Sequence, residues 1–77
     1  MFTLHLTVRG RAIKPTEHES FTDMGDALAN ELDGAGMALK PRVISVLLSL
    51  MFSDLRAHQT WRWIGEEYEI FVARDGP

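Results

Sequence analysis

Apolar and polar side chains alternate over residues 2 to 9, with Phe2, Leu4, Leu6 and Val8 on one side and Thr3, His5, Thr7 and Arg9 on the other. A period of two belongs to a strand with one buried and one wet face, in an antiparallel sheet covered on one side. Gly10 reads as a bulge or as the end of the strand, and Ala12 and Ile13 extend it until Lys14-Pro15 stops it. Over residues 16–22 two readings stand: the return strand of a hairpin with Phe21 in the core, or a polar loop.

The period then changes. Met24, Leu28, Leu32 and Ala35 recur at helical spacing, while Asp26, Asn30 and Asp33 fall on the far face. Asp23 is the expected N-cap, since its carboxylate can accept from free first-turn amides. Gly34 and Gly36 close this first helix, which spans roughly 24–33. Pro41 suits the first position of a second helix, where its missing N–H removes no bond, and the pattern carries that helix to Leu55 or Arg56. At about 100° per residue, Arg42, Ser45, Ser49, Ser53 and Arg56 form one narrow polar stripe. The remaining circumference, about two-thirds, is apolar, far wider than the stripe of a helix packed on one side. Such a helix needs cover on two or three sides.

Residues 59–74 read as a hairpin with Gly65-Glu66 as a two-residue type II′ turn. That turn sets Trp63 opposite Tyr68, Arg62 opposite Glu69 and Trp61 opposite Ile70. One face then collects Trp61, Trp63, Tyr68, Ile70 and Val72. The predicted order is β(β)ααββ: an α+β fold in which a small antiparallel sheet of three or four strands is packed on one face by two helices. Residues 1–77 are expected to form a single domain, with 75–77 a frayed tail.

Composition narrows the function more than it defines it. With 77 residues, 45% of them hydrophobic and 25% charged, the chain is globular rather than disordered. A domain this small buries only about 60% of the surface its unfolded chain exposes, so self-association is one common source of added stability. The absence of cysteine excludes disulfides, thiolate zinc and thiol catalysis. No basic leader precedes a continuous apolar run, and Val43 to Phe52 is interrupted by serines and falls far short of the ~20 residues of a membrane span. A complete, cytoplasmic protein with no membrane partner is expected.

Candidate chemistry is sparse. Glu17-His18-Glu19 places its carboxylates opposite its histidine in an extended chain, and no pair of histidines has metal-ligand spacing. No nucleophile elbow or phosphate loop is present; Gly34-Ala35-Gly36 follows a helix and reads as a cap. Neither enzymatic activity, metal nor cofactor is expected. Residues 17–33 carry six acidic side chains and no basic ones, and the net charge is −3. A solvated helix face is the plain account of that run; a docking face for a basic partner is the sharper one.

The over-wide apolar arc points to a small self-associating interaction module, a homodimer that acts as a regulator or inhibitor by binding another macromolecule, an unidentified protein. Val46, Leu50 and Phe52 are the expected self-association residues. Asp26, Asn30 and Asp33, with Arg42 and Arg56, are the expected partner-binding residues. The competing expectation is a nucleic-acid-binding regulator that uses Lys40, Arg42, Arg56 and Arg62 with the Trp61-Arg62-Trp63 strand. A shared face for both tryptophans favours a core role for them instead.

Overall fold

In the computed structural model, which describes residues 1–75, the order is β1 (Phe2–Val8), β2 (Arg11–His18), α1 (Phe21–Gly34), α2 (Pro41–Ala57), β3 (Thr60–Ile64) and β4 (Tyr68–Arg74). The four strands form one antiparallel sheet in the order β2-β1-β4-β3. Alternation explains its two faces. Leu4, Leu6 and Val8 of β1, Ile70 and Val72 of β4 and Trp61 of β3 share one core with Met24, Leu28 and Leu32 of α1 and Leu47, Met51 and Leu55 of α2. Both helices therefore cover one face, as the pattern predicts, and Thr3, His5 and Thr7 line the other.

The first hairpin departs from the expected limits. Its turn is Arg9-Gly10, with both residues in the left-handed region at φ 51° and 78°, and Val8 faces Arg11 across it. Successive positive φ values make a type I′ turn, whose twist matches that of the strands. Lys14-Pro15 does not end the strand. Leu4 faces Thr16 and Leu6 faces Ile13, so β2 fits two residues where β1 fits one. This bulge, on an edge strand, accommodates a proline that lacks an N–H. Thr16 to His18 belong to the return strand, so residues 16–22 divide between strand, a short bend and helix.

The N-cap of α1 is Ser20, not Asp23: the Ser20 hydroxyl accepts from the Asp23 amide at 3.1 Å. Asp23 lies in the first turn instead, where its charge favours the helix dipole. Starting three residues earlier places Phe21 in edge-on contact with both Phe2 and Phe52, at 5.9 and 5.3 Å between ring centres. At the other end, Gly36 adopts φ 79° and its amide donates to the Asp33 carbonyl at 3.0 Å, while the Met37 amide donates to the Leu32 carbonyl at 2.8 Å. That is a Schellman closure, and Leu32 and Met37 are both in the core.

The second hairpin keeps its faces but not its register. Trp61 faces Val72, Arg62 faces Phe71 and Trp63 faces Ile70, a shift of two residues from the expected pairing. The loop is Glu66-Glu67, with the Gly65 amide donating to the Tyr68 carbonyl at 2.9 Å. Gly65 does not have positive φ, so the type II′ turn is absent. A Cβ there would come within 3.2 Å of the Trp63 indole nitrogen and the Tyr68 carbonyl, so the turn is tightly packed at this glycine. Asp75 is tied down by Met1, its amide donating to the Met1 carbonyl at 2.9 Å; the other two residues of the expected frayed tail lie outside the described chain.

Candidate interaction surfaces

Helix α2 places its apolar side chains on three sides. Leu47, Met51 and Leu55 face the sheet and are buried. Val46 and Leu50 lie on the flank away from α1, at 54% and 49% exposure. Phe52 is 51% exposed but follows Leu50 by two residues, about 160° round the helix, and so belongs to the opposite flank. It leans on Phe21. The three expected self-association residues thus divide between two surfaces: an outer flank with Val43, Val46 and Leu50, and an inner groove with Phe52. The Ser45, Ser49 and Ser53 stripe between them is exposed, as expected.

The groove between α1 and α2 has a volume of about 680 Å³ and an apolar floor that includes Phe21, Leu39, Ile44, Leu48 and Phe52. Gly25 of α1 packs against Leu48 of α2, where a Cβ would come within 3.1 Å of the Leu48 side chain. Ala29 lines the α1 wall, and by helical geometry Asp26 and Asp33 stand on the bank beside it, with Asn30 further round. Ser45 and Ser49 line the α2 wall. Arg42 and Arg56 share that stripe but are 14 residues apart, about 21 Å along the helix. All five expected partner-binding residues are exposed; none lines the groove itself, and Arg56 lines a separate small pocket with Phe2, Phe21 and Phe52.

The expected basic-aromatic cluster is not assembled in one place. Trp61 is in the core at 7% exposure, and Arg62 points to the opposite face of the sheet from both tryptophans. On that open face Arg62 lies over the Phe71 ring at 5.1 Å, and His5 meets the same ring edge-on at 5.4 Å. One row across three strands therefore reads His5, Phe71, Arg62, a contact that simple charge counting did not reveal but that the two strand registers produce directly.

Among the described residues the ion pair is Arg9 with Glu67, at 4.0 Å and largely exposed, worth little in water. The basic residues of the first hairpin, Arg9, Arg11 and Lys14, do not meet the acidic face of α1 within one copy of the described chain. No group of three His, Cys, Asp or Glu side chains gathers at metal-binding distance among the described residues. No described helix is long and apolar enough to cross a membrane.

The fold and these surfaces define a small α+β domain with an open-faced sheet and an over-apolar second helix. Comparison with protein-family models, with curated proteins and with solved structures finds no match for this chain.

Proposed function

We propose that this chain is a small self-associating interaction module, a cytoplasmic homodimer that regulates or inhibits another macromolecule by binding it. The observation that carries the reading is the outer flank of α2, where Val43, Val46 and Leu50 stand exposed beside an edge strand that bears the exposed Trp63. Large apolar side chains clustered in this way, rather than scattered singly, mark association surfaces. A two-fold axis beside α2 buries the same patch on both copies at once. Phe52 and the inner groove then remain free for a protein partner, with Asp26 and Asp33 on one bank and Arg42 and Arg56 along the other.

The test is Leu50→Asp. A carboxylate at the centre of an apolar interface has no partner and must be desolvated, so the variant is expected to run at monomer mass under conditions where the wild type is a dimer. The matched variant Phe52→Ser, on the other flank, is expected to leave the mass unchanged. A Leu50→Asp protein that keeps the wild-type dimer mass contradicts the assignment of this flank.

A further inference from the structure

The two edges of the sheet differ in a way that bears on how copies meet. The β2 edge is blunted: it carries the bulge, Pro15 and the charged Lys14 and Glu17, all devices that discourage another strand from adding. The β3 edge carries neither bulge nor proline. Its five residues, Thr60-Trp61-Arg62-Trp63-Ile64, favour extended backbone, and Trp63 and Ile64 are exposed. The outward backbone groups are identifiable. The Gly65 amide donates to Tyr68 and the Arg74 amide donates to the Gln59 carbonyl, so Gln59, Trp61, Trp63 and Gly65 turn their polar groups toward β4. The N–H and C=O groups of Thr60, Arg62 and Ile64 therefore face away from the sheet.

We propose that β3 pairs antiparallel with β3 of a second copy, about a two-fold axis at Trp63, and so joins two sheets of four strands into one of eight. This rests on the self-association reading above and specifies its geometry. Register follows from chemistry. An axis at Arg62 sets two guanidiniums directly opposite each other, which is unfavourable. An axis at Trp61 leaves Ile64 without a partner. An axis at Trp63 pairs Arg62 with Ile64 of the second copy in both directions and places the two Trp63 rings across the closer, non-hydrogen-bonded pair. It also leaves the two Arg62 side chains as diagonal rather than directly opposed neighbours, which separates the like charges more widely than an axis at Arg62 does. Trp63 lies on the helix-bearing face, so the same axis brings the two outer α2 flanks toward each other.

The native chain has no cysteine, so a single introduced thiol reports on one contact. In Trp63→Cys, the paired positions fall within the ~4.4–6.8 Å between Cα atoms that a disulfide spans. Mild oxidation of the dilute folded protein is expected to give a covalent dimer, whereas Glu17→Cys on the β2 edge is expected to run at monomer mass on denaturing, non-reducing gels because its thiols do not meet in the dimer. A second variant, Arg62→Pro, removes an outward N–H that β4 does not use. Proline is tolerated on a free edge, so its circular dichroism is expected to match wild type while its mass falls to that of a monomer. Failure of Trp63→Cys to cross-link, with Arg62→Pro still dimeric and Leu50→Asp monomeric, overturns the strand pairing and leaves helix-mediated association standing. A wild type that is monomeric at every concentration overturns both.

Discussion

Arg9 sits at φ 51°, a conformation that costs an ordinary L-residue roughly 1–2 kcal/mol and that asparagine adopts more readily. Among the described residues its side chain makes an exposed ion pair with Glu67 and lies beside Gly36. Arg9→Asn is therefore expected to stabilise the fold by about 0.5–1 kcal/mol, which raises the melting temperature by about 2–8 °C. A lower melting temperature would show that the arginine side chain supports the turn. Gly36 presents the opposite case. At φ 79° it closes α1, and Gly36→Ala is expected to cost about 1–2 kcal/mol in urea unfolding. The sequence marks Gly36 as a stop because glycine after a helical run has one common use. It does not mark Arg9 as a turn residue, because nothing about arginine favours positive φ; only the pairing of Val8 with Arg11 forces it there. Ser20 was masked in a similar way: both it and Asp23 are good caps, and the choice fell to the burial of Phe21 between two other rings.

Elements were legible to the extent that their period was long. The β1 alternation and the apolar spacing of both helices place the core correctly, and the faces of the second hairpin are right even though its register is off by two. A shift of two residues preserves every side chain's face, so alternation alone cannot detect it. The register is fixed by tertiary fit, with Trp61 buried against Val72. Within α1, two glycines separate packing from propensity. A Cβ on Gly25 would lie 3.1 Å from a Leu48 methyl, whereas one on Gly34 meets nothing within 4 Å. Gly25→Val is expected to destabilise by about 1–3 kcal/mol through overpacking. Gly34→Ala is expected to stabilise by up to about 1 kcal/mol through helix propensity alone. Chemical denaturation of the pair checks both signs; a stabilised Gly25→Val protein would mean that the helices separate freely at this point.

At the scale of the whole molecule, the width of the apolar arc on α2 was readable, but its division was not. A helical wheel places Val46, Leu50 and Phe52 around the same polar stripe; only the position of α1 makes one flank a groove wall and the other an outer surface. The acidic and basic candidates were legible as separate runs, and the antiparallel approach of α1 and α2 brings them to the two sides of one groove. Arg62 was grouped with its tryptophan neighbours by sequence and is separated from them by the pleat. The account as a whole depends on self-association. The most direct test is the solution mass of the wild-type chain, by light scattering after gel filtration over a dilution series. A mass near twice 8.7 kDa that falls toward 8.7 kDa only on extensive dilution is the expected result. A constant 8.7 kDa at all concentrations contradicts it.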